Sequence, residues 1–246
     1  MRIAIAGATG TVGRHVADAA TGRGHEVVPL SRSTGVDVFT GSGLADALEG
    51  VQVVIDVTNT PALSARSARR FFETSTGNLL EAEERAGVAH HLALSIVGID
   101  GIDSAYYAGK LAQERSVAGA RVPYSIVRTT QFHEFAAQQL AAAKGLIAFL
   151  PRLLMRPVAA TEVAGYLIEV AEGGPQKRAS DLVGPRDEVL ADLARRLLEA
   201  DGARRTVVEL PLPGRFGRGM ASGSLRGAKP YVEGTVTFDE WLASGR

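Results

Sequence analysis

The chain contains no cysteine, which excludes disulfides, thiolate nucleophiles and cysteine-held metals. It carries no net charge: 27 Lys and Arg balance 27 Asp and Glu. A general attraction to nucleic acid or to an anionic membrane is therefore not expected. Long apolar runs are also missing. The longest are interrupted by Arg, Glu or Lys well short of a membrane-spanning length. The first strand-like run starts at Arg2, leaving no room for a signal peptide, so a soluble cytoplasmic protein is the expectation. His90-His91 and His133 lack the spacing of a metal site, and no metal is expected. What remains is 246 residues of ordinary apolar content (46%), enough for one large α/β domain.

The opening of the chain is informative. Arg2-Ile3-Ala4-Ile5-Ala6 is a short apolar run leading into Gly7-Ala8-Thr9-Gly10-Thr11-Val12-Gly13. A buried strand that breaks into glycines spaced by three, and then becomes a helix, can hold a phosphate. Glycine lets the backbone approach a pyrophosphate, and the helix N-terminus offers free N–H groups. Val12 to Arg23 reads as the helix, Gly24 ends it, and Glu26 to Leu30 reads as a second strand. That is a βαβ unit of the size the motif requires, so a dinucleotide is the expected ligand. The spacing is GxxGxxG rather than GxGxxG.

Further strands are predicted at Val36–Phe39, Val53–Val57, His91–Val97 and Tyr124–Arg128. Helices are predicted at Gly43–Gly50, Ser64–Ala86 and Ser104–Ala118. This alternation argues for a doubly wound parallel sheet of Rossmann type over about residues 1–130. Gly7, Ser31, Thr58, Ser95 and Arg128 follow or end strands and should line one crevice. Residues 131–246 read as smaller, irregular substrate-side elements of the same domain. Helices are expected from His133 to Lys144, from Thr161 to Gly173 and from Asp187 to Ala200, and a strand at Val207–Leu210. Residues 211–230, rich in Gly, Pro and Arg, read as a mobile loop or lid. Within them Arg215, Arg218 and Arg226 read as solvated charges.

The end of the second strand points to the cofactor. An NAD site places a carboxylate there for the ribose hydroxyls. This chain has Leu30-Ser31-Arg32-Ser33, a guanidinium between hydroxyls, which suits a 2′-phosphate. NADP is therefore expected over NAD. Arg14 could add charge on the same side, and Asp37 could reach the adenine amino group.

Tyr106-Tyr107-Ala108-Gly109-Lys110 supplies candidate chemistry. On a helix Tyr106 and Lys110 share a face, and Ser95 lies at the end of a strand aimed at the same crevice. A free tyrosine titrates near pH ~10, too high for a base at neutrality. A nearby ammonium would lower it. Lys110 could also hold the nicotinamide ribose, and Ser95 a substrate oxygen. Tyr107, which shares a face with Leu111, fits a packing role better.

With these segments, the chain resembles the short-chain dehydrogenase/reductase superfamily. More narrowly it resembles the atypical, NmrA-like NAD(P)-binding branch related to extended nucleoside-diphosphate-sugar epimerases. The resemblance rests on Gly7 to Gly13, on Ser95-Ile96-Val97-Gly98, on Tyr106 to Glu114, on Tyr124 to Phe132 and, more weakly, on Pro157 to Ala164. It implies that Gly7, Thr9, Gly10, Thr11, Val12 and Gly13 bind the pyrophosphate and that Lys110 contacts the nicotinamide ribose. It also implies that Thr58, Asn59 and Thr60 pass along the cofactor. Members of that branch include quinone, azo-dye and carbonyl reductases, and also non-catalytic NADP sensors that act through a partner protein.

Two readings follow. The first is an NAD(P)H-dependent oxidoreductase transferring hydride to or from a small, fairly apolar carbonyl, quinone or related acceptor. In it Tyr106 exchanges the proton, Ser95 orients the oxygen and Lys110 tunes Tyr106. The second is a non-catalytic NADP(H)-binding redox sensor. Sugar epimerisation fits less well, because the chain is short for such a substrate domain. A homo-oligomer is compatible with the sequence, which leaves the assembly open.

Overall fold

The computed structural model describes residues 1–61, 64–102 and 104–244. Along the chain the elements are β1 (Arg2–Ala6), α1 (Thr11–Gly22), β2 (Glu26–Leu30), α2 (Leu44–Ala47), β3 (Val53–Asp56), α3 (Ala65–Ala86), β4 (His90–Ile96), α4 (Ala105–Ala118) and β5 (Tyr124–Thr129). There follow α5 (Glu134–Ala142), β6 (Ile147–Pro151), β7 (Leu154–Met155), α6 (Ala160–Gly173), β8 (Lys177–Arg178), β9 (Asp181–Val183) and β10 (Glu188–Val189). The last are α7 (Leu190–Ala200), β11 (Thr206–Leu210), α8 (Gly214–Ala221), β12 (Tyr231–Glu233) and α9 (Phe238–Ala243).

The chain divides into two compact units. The first comprises Met1–Ser95, Ser104–Arg128 and Val163–Ala179. Its strands lie in the order β5-β4-β3-β1-β2, with β8 also beside β5. β1 runs parallel to both β2 and β3, and β3 parallel to β4. β1 and β3 are buried on both faces, which is why they read as apolar runs. β1 stands between β2 and β3, so the chain reverses its direction of travel across the sheet at that point. Ligands of open α/β sheets bind beyond the strand C-termini at such a switch point, here at Gly7 and Val57.

Local chemistry sets the helix ends. Ser64 caps α3 by accepting the Ser67 N–H at 3.1 Å, and Gly87, with φ +72°, terminates it. α3 and α4 pack closely because Gly109 has no side chain. A β-carbon there would lie 2.8 Å from the Phe72 ring and 2.9 Å from Ala68 Cβ.

The second unit comprises residues 96–103, 129–162 and 180–246. In it β9 pairs in parallel with β12, β6 pairs in parallel with β11, and β7 pairs antiparallel with β10. Thr129, the last residue of β5, pairs with Leu182 of β9. His133, Phe238 and Trp241 form an aromatic cluster, and His133 Nε2 lies 2.9 Å from Val236 O.

Three expectations are corrected. Val36–Phe39 is not a strand. Asp37 accepts the Phe39 N–H at 2.8 Å with its side chain and the Gly41 N–H at 2.8 Å with its carbonyl, folding the segment into a turn. Tyr124–Thr129 is therefore the fifth strand. Residues 211–230 are not structureless: they contain α8 and a 3₁₀ turn at Ser224–Arg226, with Leu225 fully buried. Their glycines serve close packing, since a β-carbon on Gly217 would fall 1.7 Å from Leu212 O. The Arg215 side chain lies outside the described residues. The helix expected from Asp187 begins at Leu190, because Glu188 and Val189 pair with Met155 and Leu154 instead.

Candidate functional site

Gly7 has φ +86°, a left-handed backbone that side chains resist, and a β-carbon on it would lie 3.0 Å from Val57 O. Gly13 sits over Gly7, where a β-carbon would fall 2.1 Å from Gly7 O. These contacts bring β1, the start of α1 and the end of β3 to backbone distance. Gly10 N–H bonds Gly7 O at 2.9 Å and closes the turn. Gly10 also begins α1 with no side-chain cap, and no acid lies in the first turn, so the helix presents unscreened positive charge. Thr9 is exposed, Thr11 half-buried and Val12 buried, and Thr9 O accepts a bond from Arg14 Nη1 at 3.2 Å.

The end of β3 forms the opposite wall. Asp56 is fully buried, and its Oδ1 accepts the Thr58 N–H at 2.9 Å. Thr58 Oγ1 is itself buried and bonds no other described residue. Asn59 Oδ1 accepts the Thr60 N–H at 2.7 Å. Asp56 Oδ2 accepts Gln113 Nε2–H at 2.8 Å, and Gln113 Oε1 takes a short hydrogen bond from Lys110 Nζ. The Lys110 ammonium is only 3% exposed and lies 4.7 Å from the centre of the Phe72 ring. Burial pulls its pKa down to about 8, against the opposing pull of Asp56 and Glu114.

Beyond β2, Ser31 Oγ and Ser33 Oγ are 2.8 Å apart, and Thr34 Oγ1 donates to Pro29 O at 2.8 Å. Arg32 is exposed and makes no ion pair among the described residues. No carboxylate takes the place where ribose hydroxyls would need one. Asp37 is only half-buried, and one of its oxygens is occupied by the turn described above.

Ser95, on β4, has a buried Oγ with no partner among the described residues. Tyr106, in the first turn of α4, packs edge-on to Phe72 at 6.0 Å between ring centres. Tyr106 and Lys110 thus share the helix face that meets Phe72, as their spacing requires. Their electrostatic coupling differs from expectation. Tyr106 is pushed above its ordinary pKa by burial and then by Tyr107, while the Lys110 ammonium is turned to Gln113 and the Phe72 ring. Burial also pushes Tyr107 up to about 12.

Arg128 is held by Glu114 in a two-pronged pair, Nε to Oε1 at 2.7 Å and Nη2 to Oε2 at 2.6 Å. Both side chains are largely buried, and this fork joins β5 to α4. That pair accounts for Arg128 without a ligand.

Asp56, Gln113 and Phe72 are parts of this region that motif reading passes over. The signal for Asp56 is a lone carboxylate at the end of an apolar β-branched run. That for Gln113 is an amide three residues beyond a buried lysine, within the same helical neighbourhood.

The residues present fit a dinucleotide. The glycine cradle admits close backbone approach, α1 offers free N–H groups, and Thr58 Oγ1 and Ser95 Oγ are buried without partners among the described residues.

Solved structures share the fold. The NADPH-dependent quinone oxidoreductase QOR2 of Escherichia coli, complexed with NADPH, is 18% identical and aligns with TM-score 0.75 over 98% of this chain and 99% of its own. The Citrobacter triphenylmethane reductase complexed with NADP(H) is 16% identical, with TM-score 0.71 over the whole of both chains. The UDP-glucose 4-epimerase of Thermotoga maritima is 15% identical, with TM-score 0.74 over 98% and 96%. Among curated sequences, the photosystem II assembly factor Ycf39 of Synechocystis is 30% identical over 111 residues, 39% of this chain and 34% of that protein. This chain thus spans about a third of the length of that relative. Residues 7–172, from the glycine cradle through α6, match the family described as NAD(P)H-binding, and the chain belongs to that family.

Proposed function

We propose that the chain is an NADPH-dependent oxidoreductase that reduces a small, apolar carbonyl, quinone or related acceptor. The observation that carries this reading is the buried Ser95 Oγ, without a partner among the described residues, in the same unit as the glycine cradle. A buried hydroxyl without a partner is costly unless a ligand supplies one. When bound, reduced nicotinamide supplies a hydride to an electrophilic acceptor. Ser95 Oγ then hydrogen-bonds the acceptor oxygen. Tyr106, which burial keeps protonated at neutral pH, donates its phenolic proton to that oxygen. That protonated state is the one the reductive direction requires. Lys110 supports the cofactor rather than lowering Tyr106.

The preference for NADPH is read from the end of β2. Arg32 is exposed and makes no ion pair among the described residues, with Ser31 and Ser33 beside it, a set that suits a phosphate monoester. Gly7, Thr9, Gly10, Thr11, Val12 and Gly13 would line the pyrophosphate, and Thr58, Asn59 and Thr60 the opposite wall. QOR2 and the triphenylmethane reductase, whose solved complexes hold NADPH and NADP(H), support this choice. Tyr106→Phe and Ser95→Ala test the catalytic roles: each should lower turnover of a carbonyl acceptor at least about 100-fold while NADPH affinity stays within about twofold.

A second reading, a non-catalytic NADP(H)-binding regulator, is favoured by the likeness to an assembly factor and by the burial of Tyr106 against Phe72. It predicts NADPH binding with no NADPH consumption by any acceptor. Acceptor-dependent oxidation excludes it.

A further inference from the structure

One carboxylate in the first unit holds two parts of the cofactor region at once. Asp56 Oδ1 fixes the Thr58 N–H at 2.9 Å, and so the turn whose Val57 carbonyl packs under Gly7. Asp56 Oδ2 takes the Gln113 Nε2–H at 2.8 Å. Gln113 is fully buried and presents Oε1 to Lys110 Nζ. The reversed amide would set an NH₂ group against an ammonium, so the chain of bonds has one direction: Lys110 to Gln113 to Asp56.

Charge needs this arrangement. A lysine in an apolar site is driven towards neutrality. Gln113 and the Phe72 ring can solvate the ammonium but cannot neutralise it. The charged groups around it are Asp56 on β3 and Glu114 on α4, with His91 on β4 beyond Asp56. Glu114 is engaged by Arg128 of β5, and His91 Nδ1 by Glu83 of α3 at 2.8 Å. Asp56 is the carboxylate joined to Lys110 through a hydrogen-bonded relay.

We propose that Asp56 and Gln113 are positioning residues that keep the Lys110 ammonium charged and fixed in place for the cofactor, and that they lock it to the turn beside the glycine cradle. This rests on the reading of Lys110 as a cofactor contact. Neither residue touches the reacting atoms. They act through Lys110 and through Thr58.

The test is NADPH affinity of the whole protein, followed by nucleotide fluorescence across a pH series, with folding of each variant checked by circular dichroism. Wild-type affinity should fall as pH rises through about 8, where Lys110 loses its proton. Asp56→Asn keeps an acceptor but removes the charge. It should move that fall about one pH unit lower, weakening binding about twofold at pH 7 and about fivefold at pH 8. Gln113→Leu should weaken binding about tenfold, whereas Gln113→Glu, with a carboxylate beside Lys110, should move the fall to higher pH. If Asp56→Asn does not fold, the two Gln113 variants carry the test.

Lys110→Met separates the two readings. If it weakens binding while folded Asp56→Asn and Gln113→Leu keep the wild-type affinity and pH profile, the positioning role is overturned and the cofactor contact stands. If Lys110→Met itself binds NADPH as wild type does, both fall.

Discussion

Gly13 lies against Gly7 so closely that a β-carbon at residue 13 would stand 2.1 Å from the Gly7 carbonyl oxygen, well inside any contact distance. Gly7 in turn lies against Val57, so the first helix, the first strand and the end of the third are joined through backbone alone.

Gly13→Ala should therefore push the start of α1 off β1. Expected are a loss of stability of about 1–3 kcal/mol and a drop in NADPH affinity of at least about tenfold. Gly77, exposed in the middle of α3 with nothing near its would-be β-carbon, is the control. Gly77→Ala should stabilise by about 0.5–1 kcal/mol with NADPH affinity unchanged. Denaturant melts and fluorescence titrations read both.

Arg32→Glu should reverse the charge offered to a 2′-phosphate. NADPH affinity is expected to fall about 10- to 100-fold, while NADH affinity changes by less than about threefold. Parallel dissociation constants for the two nucleotides check this. Equal losses for both would remove Arg32 from the phosphate site.

The pH profile of turnover separates Tyr106 from Lys110. Burial raises Tyr106 above its ordinary value, so the donor keeps its proton throughout the working range. Any alkaline loss should then appear near pH 8, from Lys110. Lys110→Arg should remove that limb, because a guanidinium does not titrate there.

His90 gives a stability signature. Its Nε2 lies 2.9 Å from Ser125 Oγ, which also accepts the Gln176 N–H at 2.9 Å. Burial lowers its pKa to about 4. Between pH 6.5 and 4 the unfolded chain binds a proton that the folded chain refuses, so stability falls as pH drops through that window, by up to about 3 kcal/mol. His91 acts oppositely: burial disfavours its charge, but Glu83 beside it keeps its pKa raised. Its contribution is present at low pH and is lost as pH rises through the folded value. Urea melts of wild type and His90→Asn at several pH values isolate the first slope, which should flatten in the variant.

Much of the first unit was legible because its signals are local. Short apolar stretches rich in β-branched residues marked β1 to β5, and Ser64 and Gly87 bounded α3 to within a residue. Val36–Phe39 misled because its alternation mimics a strand, while the deciding contact is the Asp37 carboxylate on a neighbouring N–H. Residues 211–230 misled because glycine serves close packing as well as flexibility, and only the partner atoms distinguish the two. The coupling expected between Tyr106 and Lys110 was a spacing argument. Helical spacing puts both on one face but does not determine where the ammonium points. Gln113 and Asp56, 57 residues apart in sequence, determine that.

The most direct measurement of the central claim is the loss of NADPH absorbance when purified protein is mixed with a panel of quinones, aldehydes and ketones. Wild type and Tyr106→Phe would be compared at matched cofactor occupancy. The expected result is oxidation that requires an acceptor and collapses in the Tyr106→Phe protein for the carbonyl acceptors. Tight NADPH binding with no oxidation by any acceptor would contradict an oxidoreductase and leave the regulator.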